Sequence, residues 1–160
     1  MTKSLTNINV LDFSHALSGP FCSMLLAELG AKIIKIEPPH GDHFRPANGG
    51  ATFAVVNRNK RSLCLDLKQP SASIIMERLI SKCDVILENF TPGTMKRLGY
   101  HYEALKKMKP DIIYASISGF GSTGPYKDLK GYDAVAQAMS GIMAATGAVS
   151  YKHLRAHETG

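Results

Sequence analysis

The chain has 160 residues, 44% of them hydrophobic and 20% charged, ordinary values for a soluble globular domain with a real core. Its formal charge of +6 and pI near 9.3 favour an anionic partner over a cationic one. The excess is spread along the chain, which disfavours a basic nucleic-acid arm and suits scattered phosphate contacts.

Ile8, Val10, Leu11 and Phe13 predict a first strand, ended by Ser18-Gly19-Pro20. Pro20 suits the first turn of a helix, and Phe21, Met24, Leu25 and Leu29 recur at the spacing of one buried helical face. Gly30 stands where a left-handed cap is wanted. Residues 31–37 (AKIIKIE) form a second strand, stopped by Pro38-Pro39. Strand, helix and strand with short links make a right-handed parallel crossover. Such units hold ligands at the carboxyl ends of their strands, here residues 15–19 and 38–42.

Residues 41–60 have no clear period and read as a long excursion with one helical turn around 52–56. In residues 62–68 (SLCLDLK), Leu63, Leu65 and Leu67 share one face, which predicts a third strand. A helix over 71–82 carries Ile74, Ile75, Leu79 and Ile80 as its apolar stripe, and 84–90 is the fourth strand. Thr91-Pro92 reads as the cap and first residue of a short helix that Gly99 ends. A second short helix spans 102–108, and 111–118 is the fifth strand. The Gly/Pro-rich loop 119–131 leads to a helix that Asp133 caps and that runs to about Ala145. This alternation predicts an open, mostly parallel α/β sheet with flanking helices.

Residues 149–160 (VSYKHLRAHETG) change character. They look like one reading frame of a transposase-type sequencing adapter, so the expectation is a foreign extension on a truncated protein whose own sequence fills 1–148. Cys22, Cys64 and Cys83 lie far apart with no C-x-x-C pair, which predicts reduced, buried thiols and a cytoplasmic location. The N-terminus lacks a signal peptide's apolar core. No stretch reads as a membrane span, since the most apolar one, 134–149, contains Gln137 and Ser140.

The first loop, His15-Ala16-Leu17-Ser18-Gly19-Pro20, lacks the G-x-G-x-x-G of a dinucleotide fold, so Glu37 at the end of the second strand is weak support for a ribose-binding acid. There is no Walker sequence and no clustered set of metal ligands. The remaining candidates each have a bland reading. His15 fits a loop histidine, Lys68 a solvated strand end and Asn89 a cap of its own turn. Arg97 fits a helix-end cation, Asp133 an N-cap, and 57–61 (NRNKR) a solvated run. Collectively they gather where an open sheet holds an anionic ligand.

Five segments then carry a resemblance: VLDFSHALSGPFCSMLLAELGAKIIKIEPPHGD, NRNKRSLCLDLKQP, DVILENFTPGTMKRLG, IIYASISGFGSTGPY and KGYDAVAQAMSGIMAATG. In this order and register they resemble the class III coenzyme A transferases, the family of formyl-CoA transferase, the carnitine and bile-acid CoA-transferases and α-methylacyl-CoA racemase. The resemblance covers residues 10–147 and implies the N-terminal part of a Rossmann-like domain, with two full-length chains interlocked as a homodimer. It implies coenzyme A or acyl-CoA as substrate, a carboxylic acid as second substrate, and no permanently bound cofactor or metal. The implied coenzyme A contacts are His15, Ala16, Leu17 and Ser18, then Leu65 and Lys68, then Asn89, Phe90, Thr91 and Arg97, and finally Lys130 and Tyr132.

Leu17 replaces a glutamine found near the acyl group of formyl-CoA transferase, which argues against formyl or oxalyl specificity. Pro38 replaces an arginine of that enzyme's nucleotide grip. Tyr132 stands where the racemase branch has its histidine, which disfavours racemase chemistry. The family's nucleophilic aspartate, which forms a mixed anhydride with the acyl group, lies beyond the last matching segment. The chain is therefore expected to hold coenzyme A but to be inactive alone. A non-catalytic nucleotide-binding module is the alternative from another class.

Overall fold

A computed structural model describes residues 3–146, so the expectation for residues 149–160 lies outside the described residues. The chain divides into two units, Met1–Ile117 and Ser118–Gly160. The first holds β1 (Asn9–Asp12), α1 (Ser18–Glu28), β2 (Lys32–Glu37), α2 (Ala51–Asn57), β3 (Lys60–Cys64), α3 (Ala72–Ile80), β4 (Val85–Glu88), α4 (Thr94–Arg97), α5 (Tyr102–Met108) and β5 (Ile113–Ser116). The second holds α6 (Asp133–Met139) and α7 (Ile142–Ala145).

All strand pairs are parallel, in the order β3-β2-β1-β4-β5. A parallel sheet is covered on both faces, and its side chains alternate between them. Leu11 and Ile86 join Phe13, Ile36, Met76, Ile80 and Leu105 on one side, while their neighbours Val10 and Leu87 join Ala27, Ala31 and Ile33 on the other. The five strands agree with expectation in kind, and all but the third in place, as do the turn near 52–56 and the helix over 102–108. Gly30 caps α1 with φ of +105°: its N–H reaches Ala27 O, and the Ala31 N–H reaches Leu26 O.

Several details differ. α1 buries Gly19, Pro20, Ser23, Met24 and Ala27, and turns Phe21, Leu25 and Leu29 outward. Gly19, Ser23 and Ala27 recur every four residues, and their small size brings the helix close to the sheet. α3 likewise buries Ala72, Met76 and Ile80, leaving Ile74 and Ile75 exposed. The third strand begins at Lys60 and stops at Cys64, because the Asp66 carboxylate accepts the Lys68 N–H at 3.0 Å and turns the chain. Leu65 and Leu67 still pack on the core from that turn.

Thr91-Pro92 does not cap α4. Gly93, at φ of +82°, precedes the helix instead. In the second unit, Tyr132 precedes α6 and Asp133 is its first residue, accepting a hydrogen bond from Gln137. Gly141, at φ of +80°, breaks the predicted single helix into α6 and α7. Cys83 is buried as expected and Cys22 half-buried, but Cys64 is exposed at the end of the edge strand. No described helix is long and apolar enough to cross a membrane.

Candidate functional site

The chain leaves β1 toward β2 and β3, then returns to lay β4 on the other side of β1. The carboxyl ends of β1 and β4 therefore flank the point where strand order reverses, the crevice that open α/β sheets use for ligands. The loop after β1 carries His15 to Ser18, and the loop after β4 carries Asn89 to Thr91. The Asn89 side chain joins them. Its Oδ1 accepts the His15 N–H at 2.8 Å, and its Nδ2 donates to His15 O at 2.8 Å. Asn89 thus pairs with another loop's backbone as a strand would, rather than capping its own turn. Its Nδ2 also lies 3.4 Å from Ser18 Oγ.

The His15 ring rests 5.2 Å from the Phe90 ring and 5.8 Å from that of His43. Ala16 holds φ at +62°, a left-handed conformation that costs a non-glycine residue about 1–2 kcal/mol. Leu17 is 55% exposed at the start of α1. Beyond β4, Thr91 Oγ1 lies 3.1 Å from Thr94 Oγ1, which accepts a 2.8 Å hydrogen bond from exposed Arg97. Leu65 and exposed Lys68 follow the carboxyl end of β3, two strands from β1 on the same edge of the sheet. A cleft of about 260 Å³ lies between, lined by Glu37, Pro38, His40, Arg45 and Ser62 among others. Lys130 and Tyr132 belong to the second unit and are exposed there. Gly119 and Gly131 touch backbone to backbone within that unit, fixing the base of the loop that carries Lys130.

Beneath the loops runs a set of buried charges that the sequence reading did not place in the site. Asp12, fully buried, accepts from Ser14 N–H at 2.9 Å, Ser23 Oγ at 2.5 Å, Lys60 Nζ at 3.0 Å and the Ser14 hydroxyl. Lys60 also donates to Asn57 Oδ1 and Pro20 O, so the NRNKR run is not simply solvated. Burial pulls the Lys60 ammonium below its ordinary range, and Asp12 acts against that. Lys35 Nζ donates to Ser14 O at 2.5 Å and lies 3.1 Å from Asp42 Oδ2.

His15, Asp42 and His43 bring potential metal-ligand atoms within 4.8 Å of one another. Sequence spacing does not reveal this cluster, and Lys35 Nζ, 3.1 Å from Asp42 Oδ2, already places a positive charge beside it.

Comparison with known proteins decides the family. The model of CoA-transferase family III matches residues 5–157. The chain belongs to CoA-transferase family III. Over 144 residues it is 51% identical to an acetyl-CoA:oxalate CoA-transferase of Acetobacter aceti, covering 86% of this chain and 37% of that protein. Over 154 residues it is 46% identical to a formyl-CoA:oxalate CoA-transferase of Bradyrhizobium diazoefficiens, covering 92% of this chain and 36% of that one. The crystal structure of a CAIB/BAIF family protein from Brucella suis superposes with a TM-score of 0.87 at 38% identity, covering 92% of this chain and 42% of that one. The chain thus spans little more than a third of the length of the curated relatives it matches.

This family III chain offers no free acid for a ribose at β2. Both Glu37 oxygens are held: Arg45 donates to each at 2.7 Å, Ser62 Oγ to Oε1 at 2.6 Å and the Asp42 N–H to Oε2 at 3.0 Å. Burial alone would raise the Glu37 carboxyl, but Arg45, Ser62 and the Asp42 amide bring it from 4.5 to about 2. Asp42 is buried too, and His15, the Phe44 N–H and Lys35 hold it well below the carboxylate range.

A carboxyl depressed on folding stabilises above its unfolded value and loses that contribution as pH falls through its folded value. The urea midpoint should therefore fall steeply between about pH 4.5 and 2. Glu37→Gln should remove on the order of 3 kcal/mol of that slope at most. An acid limb unchanged in the variant would show that Glu37 contributes nothing to it.

Proposed function

We propose that this chain supplies the coenzyme A-holding face of an enzyme that moves coenzyme A from an acyl-CoA to a carboxylic acid. The observation that carries the reading is the crevice between β1 and β4, whose two lips the Asn89 amide ties together through the His15 backbone. The His15 and Phe90 rings, 5.2 Å apart and tilted by 47°, line the crevice for a pantetheine arm. Exposed Arg97 and Lys68 offer charge to phosphates, and the cleft beyond β2 takes the nucleotide end.

Leu17 favours a short acyl group with an apolar end over formyl. The relatives' names favour a small dicarboxylate such as oxalate as acceptor, against the expectation drawn from Leu17, whose side chain is then taken to bear on the acyl donor alone. The aspartates of the first unit that sit nearest strand ends are already engaged: Asp12 by four donors, Asp66 by its own turn, and Asp84 by Asn9. By the family resemblance, the acyl-attacking carboxylate belongs beyond these elements and a homodimer is expected of the full-length enzyme. This chain alone is expected to show no transferase turnover.

The test is calorimetric titration with coenzyme A and, separately, NAD. Coenzyme A should bind and NAD should not, and Asn89→Ala should weaken coenzyme A binding about tenfold by releasing the His15 backbone. Preference for NAD, or no coenzyme A binding by a chain that circular dichroism shows to be folded, would overturn the reading.

A further inference from the structure

We propose that Lys35 and Asp42 are positioning residues, which set the loop after β1 in the conformation that presents His15 to Asn89. The observation is a buried strut. Lys35 sits in the middle of a strand covered on both faces, its side chain 1% exposed, and Asp42 beside it is fully buried. The Lys35 ammonium donates to Ser14 O at 2.5 Å, the carbonyl of the peptide whose N–H belongs to His15. That N–H is the one Asn89 Oδ1 accepts. Lys35 therefore holds one end of a single rigid peptide plane, and Asn89 holds the other.

Asp42 fixes the strut from the opposite side. Its Oδ2 lies 3.1 Å from Lys35 Nζ and 3.6 Å from His15 Nδ1, a buried nitrogen without a hydrogen-bond partner. Its own place is set by the Phe44 N–H on Oδ1 at 2.9 Å and by its backbone N–H on Glu37. The His15 ring and the His15 backbone are thus referred to the same buried carboxylate. Next to this strut the strained Ala16 persists, which requires surroundings that over-determine the loop.

The inference concerns the loop itself and uses the coenzyme A reading only for its ligand. Removing one member of a buried ion pair leaves an uncompensated charge, whereas replacing both is often close to neutral. The decisive variant is therefore the double substitution Lys35→Met with Asp42→Asn in the full 160-residue chain. Its Tm should stay within about 5 °C of the parent, while Lys35→Met alone falls further. A merely structural pair would leave the loop unchanged in a variant that stable.

Two readouts follow. Hydrogen exchange at the His15 amide should become about tenfold faster, and coenzyme A affinity should drop by a similar factor. Unchanged His15 protection in the double variant overturns the inference, whatever coenzyme A does. Lost protection with unchanged affinity overturns the loop's role in ligand binding. If the parent binds no coenzyme A yet His15 protection is lost in the variant, the proposed function fails and the strut is supported.

Discussion

Replacing Asp12 by alanine is expected to destabilise the chain by about 3–5 kcal/mol, a large share of a domain's ordinary stability of about 5–15 kcal/mol. Asp12 closes β1 with no exposed surface, and four donors converge on its carboxylate. Alanine leaves the Lys60 ammonium, itself 2% exposed, facing only neutral oxygens of Asn57 and Pro20. Lys60→Met should cost a comparable amount for the mirror-image reason. Asp12→Asn combined with Lys60→Met removes both charges and keeps a polar partner for Ser14 and Ser23, so it should recover most of the loss. Urea unfolding of the parent and of these three variants measures the loss and its recovery, and adding Asp12→Asn alone closes the double-mutant cycle with Lys60→Met. If Asp12→Ala lies within about 1 kcal/mol of the parent, the pair does not hold β1 to β3.

The architecture was legible because parallel strands and their connecting helices leave separate marks. Short apolar runs punctuated by Gly and Pro placed all five strands, and Gly30 and Gly99 marked helix ends where left-handed residues sit. Apolar spacing was less faithful to which face is buried. In α1 the reading followed the largest side chains, whereas close approach to the sheet is permitted by Gly19, Ser23 and Ala27. In α3 adjacent isoleucines offered two stripes, and the one through Met76 and Ile80 packs. The end of β3 hid for a different reason. The alternation of Leu63, Leu65 and Leu67 continues past it, but a turn made by the Asp66 side chain lets the same leucines reach the core without a ladder.

Within the site, the loops were found by the open-sheet rule and the supporting charges were not. His15, Ser18 and Asn89 do meet, and Phe90 joins them. Lys35 was visible as an anomaly: it lies in AKIIKIE, on a strand expected to be buried on both faces, where a lysine has no route to water. Such a residue requires a buried partner, yet Asp42 comes from the following loop, and spacing along the chain does not reveal that pairing. Asp12 and Lys60 are 48 residues apart and meet only because β3 comes to lie two strands from β1.

Gly19→Ala is expected to be destabilising and to weaken coenzyme A binding, against the ordinary preference of helices for alanine. In an open helix interior the change gains up to about 1 kcal/mol. Here a Cβ on Gly19 would overlap Ser14 Cβ and come within 2.5 Å of Ser14 Oγ and 3.3 Å of Asn89 Cγ. Ser14 cannot retreat, since its N–H and hydroxyl are bound to Asp12 and its carbonyl to Lys35. Either α1 lifts from the sheet or the loop after β1 shifts, at a cost of about 1–3 kcal/mol. Both movements separate Asn89 from the His15 backbone, so affinity should fall with stability. Gly49→Ala separates the two effects. Gly49 has φ of +62° but nothing within 4 Å of a new Cβ, so alanine there adds backbone strain of about 1–2 kcal/mol without touching the crevice. Equal losses of coenzyme A affinity in the two variants would mean that the alanine at Gly19 acts through global stability, and the close fit of α1 against Ser14 would have no part in shaping the site.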